Sequence, residues 1–411
     1  MDYRQTLLSV TAELVTAQDQ LLALYELSNV MRRQSSLHEA LQQIVKLTCR
    51  TMLAEKCAIR LEVPGRDRAV AWFPELEPSR GSFEKWLGHE PDHDRWSVRD
   101  REEDENSILL LPLKFEEKIA GFIICIRSQG EPFASPEGKL GQALANQAMA
   151  FLENIILNEV RLENAALVAE LRVASEVQVN LLPKVLPSVN HVDLWGSSQP
   201  AKQVGGDFYD AQYGPDGTLY FCVGDVSGKG MPAALLMAML LMILRSEQRI
   251  GRSKSPAQLL EYLNRAAYDE LTESGMFATL FLATYDPQTR LLKIANAGHS
   301  PVIFRPRGGS ARLLEANNMP VGIFAELAAE EEEIVLNPGD LIMVGSDGLN
   351  EACDVEGNFF SIERLLREID GRAEQSAADL GSALVASVSE FSAGQPQSDD
   401  RTCIIVKRDD Q

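Results

Sequence analysis

The sequence feature that most constrains the fold is a long stretch of helix-forming residues between Pro136 and Pro183. No proline lies between these two residues, and no glycine follows Gly141 within the stretch. Proline and glycine are the residues that most often end a helix, so the stretch predicts one long helix. The chain has 411 residues, 45% of them hydrophobic, which exceeds one ordinary domain. We therefore expect two folded domains joined by this helix.

Residues within this helix recur at alternating steps of three and four, which is the spacing of a coiled-coil seam. The seam positions are Leu157, Val160, Asn164, Leu167, Leu171, Ala174, Gln178 and Leu181. Asn164 and Gln178 would bury their amides against the same residues of a second copy, which fixes the register but lowers stability. Residues 153–185 are therefore predicted to be a helical coiled-coil linker in a parallel homodimer. The alternative is an amphipathic helix that lies on its own domain.

The residues before the long helix predict an N-terminal helix and a small domain. Apolar positions at helical spacing predict a helix over residues 1–28. The elements predicted after it are a helix at Leu37–Met52, strands at Cys57–Val63 and Ala69–Phe73, and a hairpin at Ile108–Ile126. This order of elements resembles a GAF-type sensor domain over residues 29–152. The resemblance implies that an unidentified small molecule or protein provides a signal there.

Composition and charge exclude several classes of function. The formal net charge of −21 would repel nucleic acid and anionic lipid over most of the surface. The longest apolar run, Ala233–Leu244, is shorter than the roughly 20 residues that span a membrane, and no signal peptide is evident. The six cysteines are scattered without a C-x-x-C pair, which favours reduced thiols over disulfides or a zinc site. We expect a cytoplasmic protein with neither a nucleic-acid nor a membrane partner.

The run VGGDFYDAQYGPDGTLYFCVGDVSGKG, residues 204–230, predicts a β-hairpin with an aspartate on each arm. If Pro215-Asp216-Gly217 forms a three-residue loop, counting outward along both arms brings Asp207 opposite Asp225. Opposed carboxylates destabilise a strand pair, because their Cβ atoms lie only about 5 Å apart. A bound divalent cation would remove this repulsion, so the hairpin predicts a metal site.

Further aspartates lie at strand ends later in the chain. Asp347 follows the apolar strand Leu341–Val344, and Asp399 and Asp400 precede the strand Thr402–Val406. A single aspartate at a strand end is more often a turn former or a helix cap, so the prediction rests on their combination. Carboxylate oxygens are hard ligands that suit Mg²⁺ or Mn²⁺. Two such ions about 3.5–4 Å apart can hold a hydroxide and clamp a phosphoryl group, which predicts phosphate-ester hydrolysis.

Several motifs, in chain order, resemble those of the metal-dependent PPM (type 2C) serine/threonine phosphatases. They are VGGDFYD, VGDVSGKGMPAALLMA, NAGHSPVIF, GDLIMVGSDGLNEA and SDDRTCIIV, within about Glu176–Lys407. More narrowly they resemble the bacterial RsbU and SpoIIE branch, which regulates anti-sigma-factor antagonists and often follows GAF or PAS sensors. The resemblance implies an αββα fold, a β-sandwich flanked by helices, over residues 186–411. The whole chain is then of the α+β class.

The resemblance also implies roles for individual residues. Asp225 is expected to bridge two metal ions, with the Val226 carbonyl oxygen on one of them. Asp207, Asp347 and Asp399 fill the remaining carboxylate positions, and Asp207 and Asp225 are expected to be catalytic. Asp400 stands where the family often has asparagine. It is therefore expected either to support the other ligands or to bind a weaker third ion.

The function expected from residues and resemblance together is that of a protein serine/threonine phosphatase that uses two or more Mn²⁺ or Mg²⁺ ions. Its expected substrate is a phosphorylated small regulatory protein, a STAS-like anti-sigma-factor antagonist, and the GAF-like domain would regulate it through the dimeric linker. The alternative is a catalytically silent metal-binding module that sequesters this regulator. Lys229 either assists in phosphate binding or is a solvated loop residue. His299 is expected to be a hydrogen-bonded turn histidine, not an acid-base catalyst.

Overall fold

The computed structural model describes residues 36–63, 65, 67–74, 96–99, 107–115, 118–129, 131–214, 216–249 and 254–409, with isolated residues between 18 and 29. Most of the predicted helix over residues 1–28 lies outside the described residues. The chain divides into two compact units, Met1–Ala166 and Leu167–Gln411. This division falls inside the long helix, and the domain limits given above stay predictions.

Among the described residues, the first unit contains a helix and a five-stranded antiparallel sheet. The elements are α1 (Leu37–Thr51), β1 (Lys56–Leu61), β2 (Ala69–Phe73), β3 (Ser97–Arg99), β4 (Ser107–Phe115) and β5 (Lys118–Arg127). The strand order is β2-β1-β5-β4-β3, and Ile44 on the apolar side of α1 is buried in the core beside the sheet. The predicted hairpin is confirmed, because Ile108 pairs with Ile126 and Phe115 with Lys118. The GAF identity of this unit stays a prediction.

The next element, α2 (Ser135–Leu181), is the single long helix that the proline-free stretch predicts, with 47 residues. In the first unit its residues Leu144, Ala148 and Leu152 are buried in the core that α1 shares. Farther along, apolar seam residues are exposed, with Leu157 at 50% and Leu167 at 55%. The coiled coil and the parallel dimer stay predictions.

The prediction that Gln178 buries its amide against a second copy is wrong. The Gln178 Nε2–H donates to the Gly205 carbonyl oxygen at 2.6 Å, and the Gly205 N–H donates to Gln178 Oε1 at 3.1 Å. Leu181 and Leu182 pack against a core cluster of the second unit. The last turns of α2 therefore belong to the second unit, where Gln178 finds a partner in its own chain.

In the described part of the chain, the second unit consists of the last turns of α2, two five-stranded antiparallel sheets and four further α-helices. The strands are β6 (Val192–Gln199), β7 (Asp207–Tyr213), β8 (Leu219–Val226), β9 (Ala278–Asp286), β10 (Leu291–Ala297), β11 (Val302–Arg305), β12 (Arg312–Leu313), β13 (Glu332–Val335), β14 (Leu341–Gly345) and β15 (Arg401–Arg408). The helices are α3 (Met231–Arg249), α4 (Pro256–Glu273), α5 (Ile362–Arg372) and α6 (Ala377–Phe391), with a 3₁₀ turn at Asp347–Leu349. The sheet orders are β13-β10-β9-β8-β7 and β12-β11-β14-β15-β6.

The two sheets face each other, and helices cover their outer sides. Side chains from both sheets, including Phe221, Phe281 and Ile404, form the core between them. Helices α3 and α4 bury their apolar faces on the first sheet, and α5 and α6 bury theirs on the second. Strands covered on both faces are apolar along most of their length, as in β8 and β14. This four-layer arrangement agrees with the predicted αββα fold.

Helix α3 is long and apolar enough, by length and composition alone, to cross a membrane. In the structure its residues Met237, Leu240 and Leu244 are buried in the core on the outer side of the first sheet. Helices that fill a protein core have the same composition, so the criterion does not distinguish the two cases. The absence of a membrane partner stays a prediction.

Candidate functional site

The β7–β8 hairpin places Asp207 directly opposite Asp225, as predicted. The Gly214 N–H donates to the Thr218 carbonyl oxygen at 2.8 Å and closes the three-residue loop. Gly217 in this loop has a φ of 81°, a conformation that glycine adopts without strain. The length of the loop sets the register of β7 against β8, and this register places the two carboxylates opposite each other.

Asp347, Asp399 and Asp400 lie at one end of the other sheet. Strands β14 and β15 are antiparallel neighbours, so the residue after β14 and the residues before β15 meet at the same end. Ser346 joins the two segments, because its Oγ–H donates to the Asp400 carbonyl oxygen at 3.1 Å. The predicted strand-end aspartates are thus brought together by strand pairing.

Asp400 connects these two groups of aspartates. Its Oδ1 accepts a hydrogen bond from the Ala201 N–H at 2.7 Å, and its Oδ2 accepts one from the Asp207 N–H at 3.4 Å. A Cβ added to Gly205 would overlap the Asp400 carboxylate, so the backbone passes very close to it. Asp400 therefore holds the segment before β7 against the start of β15. These contacts favour a supporting role for Asp400 over a role in binding a third ion.

The aspartates repel one another at this site. Asp207 is 5% exposed, and its Oδ2 has no hydrogen-bond partner in the structure. Burial, followed by the charge of Asp225, raises the pKa of Asp207 well above its usual value. Burial, together with the charges of Asp347 and Asp399, raises the pKa of Asp225 to about 7. Burial and the neighbouring Glu351 also raise the pKa of Asp347. A cation placed among these carboxylates would favour their ionised forms.

The donor set fits a divalent cation in its chemistry. In the described residues no three His, Cys, Asp or Glu side chains converge closely enough to hold an ion as they stand. Asp399 is bonded to a lysine, because the Lys229 Nζ donates to its Oδ2 at 2.8 Å. The donors available are carboxylate oxygens and the Val226 carbonyl oxygen beside Gly206. Such hard oxygen donors suit Mg²⁺ or Mn²⁺, and the unpartnered Asp207 oxygen provides a ligand without a competing hydrogen bond.

A cleft of about 250 Å³ opens beside Asp225 and Asp347. Its other lining residues are Thr279, Gly298, His299, Ser300, Asn350 and Glu351. Of these six lining residues, the sequence reasoning singled out only His299. Glu351 carried a signal, because it is an acidic residue within the GDLIMVGSDGLNEA motif. Thr279 carried none, because its position depends on the pairing of β8 with β9, which sets it opposite Asp225.

His299 is a buried, neutral histidine, 2% exposed. Its Nδ1 lies 2.9 Å from the Thr279 Oγ1, and Asn296 clamps its backbone through reciprocal hydrogen bonds of 2.8 and 3.0 Å. Burial lowers the pKa of His299 to about 4. A neutral imidazole bonded through its Nδ1, on a backbone fixed by Asn296, agrees with the expected hydrogen-bonded turn histidine and does not provide an acid near neutral pH.

The second unit is similar to known bacterial phosphatases. Residues 215–409 match the family model "Stage II sporulation protein E (SpoIIE)". The chain is 29% identical to phosphoserine phosphatase RsbU of Bacillus subtilis over 268 residues, 65% of this chain and 77% of RsbU. It is 28% identical to protein IcfG of Synechocystis over 224 residues, but this covers only 35% of IcfG and 49% of this chain.

A solved structure supports the fold. The SiaA-PP2C domain of Pseudomonas aeruginosa superposes with a TM-score of 0.54 at 25% identity. The match covers 60% of this chain and 99% of that domain. The mixed α/β architecture of the second unit is therefore that of a PP2C-like domain.

Proposed function

We propose that the second unit is a protein serine/threonine phosphatase domain of the SpoIIE/PP2C type, and that it hydrolyses phosphoserine or phosphothreonine on a small regulatory protein. The observation that carries the proposal is the electrostatic coupling of aspartates at the ends of two sheets: Asp207 faces Asp225, and the charges of Asp347, Asp399 and Asp400 act on Asp225 beside a cleft. These residues come from segments far apart in the sequence, and repulsion among them is costly in the absence of a cation.

We assign the metal-holding role to Asp207, Asp225, Asp347, Asp399 and the Val226 carbonyl oxygen, with Asp400 as a supporting residue. Two or more Mn²⁺ or Mg²⁺ ions bound there would activate water and stabilise the charge that develops on the phosphoryl group. Asp207 and Asp225 are the proposed catalytic residues, because strand pairing holds their carboxylates at a fixed separation.

The chain's own residues then position the substrate. A volume of about 250 Å³ is below the range of about 300–1,000 Å³ typical of pockets that enclose whole small molecules, so the cleft suits one phosphorylated side chain of a protein. Asn350 and Glu351 on its wall offer an amide and a carboxylate to the substrate backbone. The similarity to RsbU, which is named a phosphoserine phosphatase, supports this substrate class. We further propose a STAS-like anti-sigma-factor antagonist as the substrate.

Regulation through the long helix is part of the proposal. Gln178, near the end of α2, is bonded to Gly205, and Gly205 is two residues before Asp207. A rotation or shift of α2 would therefore move the backbone that carries a proposed ligand. We propose that a GAF-like domain, in a cytoplasmic parallel homodimer, controls activity in this way in response to a small-molecule or protein signal.

This coupling is tested by Gln178→Glu, which removes the donor to the Gly205 carbonyl oxygen and places negative charge beside it. We expect activity to fall about tenfold, as for a lost hydrogen bond to a buried group. Asn180→Asp is the matched control, because Asn180 donates only to the Glu176 carbonyl oxygen of its own helix. Equal activity of both variants would contradict the coupling.

The catalytic proposal is tested by hydrolysis of p-nitrophenyl phosphate and a phosphoserine protein with Mn²⁺, with Mg²⁺ and with EDTA. We expect turnover with metal, none with EDTA, and a loss of at least about 100-fold in Asp225→Asn. Asp286→Asn is the control, since Asp286 lies at the other end of β9 from Thr279 and bonds Gln288 and Thr289 of its own turn. Unchanged turnover of Asp225→Asn would refute the site.

The alternative function is a catalytically silent module that binds metal and sequesters the phosphorylated regulator. Carboxylates at every matched position argue for the enzyme, because a silent relative has no need to keep all of them. Metal-dependent binding of the phosphoprotein without release of phosphate would favour this alternative.

A further inference from the structure

Lys229 lies in the loop between β8 and α3, close to the proposed metal ligands. Glycines flank it on both sides, Gly228 with φ of 93° and Gly230 with φ of 82°. The Lys229 Nζ donates to Asp399 Oδ2 and to the Ser398 carbonyl oxygen, both at 2.8 Å. The lysine and aspartate side chains are 47% and 43% exposed, so solvent reaches both members of the pair.

Both oxygens of the Asp399 carboxylate are engaged in this arrangement. Oδ2 accepts from Lys229, and Oδ1 accepts from the Asp400 N–H at 2.9 Å. The Asp400 N–H belongs to the residue just before β15, and the carbonyl oxygen of that residue accepts a hydrogen bond from the Ser346 Oγ–H at 3.1 Å. A divalent ion that binds Asp399 Oδ2 therefore competes with the Lys229 ammonium, since two cations on one oxygen repel each other.

The lysine side chain is able to move away. It is half exposed, and a lysine has four flexible methylene groups that carry its charge through several ångströms. No atom lies within 4 Å of a Cβ added at Gly230, so the loop has open space on that side. Lys229 is only four residues after Asp225 in the sequence, and Asp225 lines the cleft. The displaced ammonium therefore stays near the cleft.

We propose that Lys229 exchanges partners during metal loading: it binds Asp399 before the ion is present, and afterwards it binds the phosphoryl group of the substrate. This inference rests on the proposed function, because it requires a metal-dependent phosphatase site. The lysine then serves as the positive group that holds the substrate phosphate, and its charge-assisted hydrogen bond to a phosphate oxygen is of the strong kind.

The test compares the wild-type full chain with Lys229→Met, which keeps the length of the stem without its charge, and Lys229→Arg, which keeps the charge. Mn²⁺ affinity is measured by calorimetry on the metal-free protein, and kcat and KM are measured with p-nitrophenyl phosphate at saturating Mn²⁺. Thermal melting establishes that each variant is folded. The side chain is exposed, so neither substitution removes core packing.

For Lys229→Met we expect Mn²⁺ to bind about two- to fivefold more tightly, since a competing exposed ion pair is gone. We expect KM for p-nitrophenyl phosphate to rise about tenfold with a smaller change in kcat, since a charge-assisted hydrogen bond to phosphate is lost. For Lys229→Arg, both the Mn²⁺ affinity and the KM for p-nitrophenyl phosphate should stay within about threefold of the wild-type values.

A lysine that merely stabilises the loop predicts the opposite metal result, because its removal would loosen Asp399 and weaken Mn²⁺ binding. Unchanged or weaker Mn²⁺ binding by Lys229→Met, or an unchanged KM, would overturn the inference. Failure of the proposed function is distinguishable, because the wild-type protein itself would then bind no Mn²⁺ and release no phosphate.

Discussion

Gly205 and the carboxylate of Asp400 are in such close contact that any side chain at position 205 would overlap it. Gly205 is also held by Gln178 on its other side. The backbone before Asp207 is thus fixed between the last turns of α2 and the start of β15. This contact is the basis of the first prediction.

Gly205→Ala should displace Asp400 and the backbone of Asp207. We expect Mn²⁺ affinity and turnover to fall by about tenfold or more, as for a displaced supporting group at a metal site. The measurements are Mn²⁺ calorimetry and p-nitrophenyl phosphate hydrolysis. Gly371→Ala in α5 is the control, because nothing lies within 4 Å of its added Cβ. It should leave activity unchanged, and equal effects of both substitutions would contradict the prediction.

Asp225→Asn should make the metal-free protein more stable while it removes activity. Burial and the neighbouring carboxylates raise the folded-state pKa of Asp225 to about 7 from its ordinary value of 3.8, so its contribution to stability is complete below about pH 4 and is lost as the pH rises through 7. At pH 8 in EDTA we expect the variant to melt several degrees above the wild type.

Addition of Mn²⁺ should reverse this order at pH 8, because the ion binds and stabilises only the protein with intact carboxylates. Thermal melting of the wild type and of Asp225→Asn, with Mn²⁺ and with EDTA, tests both the higher stability of the metal-free variant and its reversal by the ion. A variant that melts below the wild type in EDTA would show that Asp225 is not destabilising in the metal-free state.

Arg245→Met should strongly destabilise the second unit. The Arg245 guanidinium donates to both carboxylate oxygens of Asp210, at 2.8 and 2.9 Å, and Asp210 is 4% exposed. Removal of one partner leaves a buried unpaired charge, which lowers the free energy of unfolding by about 3–5 kcal/mol. The measurement is urea denaturation of the metal-free protein.

The exposed pair Arg172 and Glu176 provides the control for that measurement. Its nitrogen and oxygen are 3.7 Å apart, and its side chains are 81% and 68% exposed. Arg172→Met should therefore change the free energy of unfolding by about 0.5 kcal/mol or less. The double variant Asp210→Asn with Arg245→Met should recover part of the loss, and no recovery would contradict a charge-based cause.

His299 should make the protein sensitive to mild acid. Burial lowers its folded-state pKa to about 4 from its ordinary value of 6.5, so the unfolded chain takes up a proton first as the pH falls. The stability that depends on neutral His299 is complete above about pH 6.5 and is lost progressively towards pH 4, by up to about 3 kcal/mol. Urea denaturation at pH 7.5, 6, 5 and 4 measures this loss.

His299→Gln should flatten the same pH dependence, whatever its stability at pH 7.5, because glutamine does not titrate. An equally steep loss of stability in the variant would assign the acid sensitivity to other groups.

Features set by local geometry could be predicted from the sequence. The pairing of Asp207 with Asp225 followed from a three-residue loop and a count along two arms, and the structure has this pairing. The long helix followed from the absence of proline, and its 47 residues agree with that. Asp347 and Asp399 were found because each lies at the end of an apolar strand.

Features set by contacts between distant segments could not be predicted in this way. Gln178 has a seam position in the helical repeat, yet its amide bonds Gly205, 27 residues later in the chain. Thr279 reaches the cleft only through the pairing of β8 with β9, and Lys229 meets Asp399 across 170 residues. The spacing of residues along one helix or strand does not show which distant residues they will contact. Those contacts are set by the packing of the second unit.

The proposed ligands are divided between the two sheets of the sandwich: Asp207 and Asp225 come from one, and Asp347 and Asp399 border the other. A folding intermediate with only one sheet formed has only two of these four carboxylates in place, so its affinity for a metal ion is low. An ion would therefore bind tightly only after both sheets have packed together. A probe that detects the bound ion would distinguish fully folded molecules from those in which the two sheets are not packed.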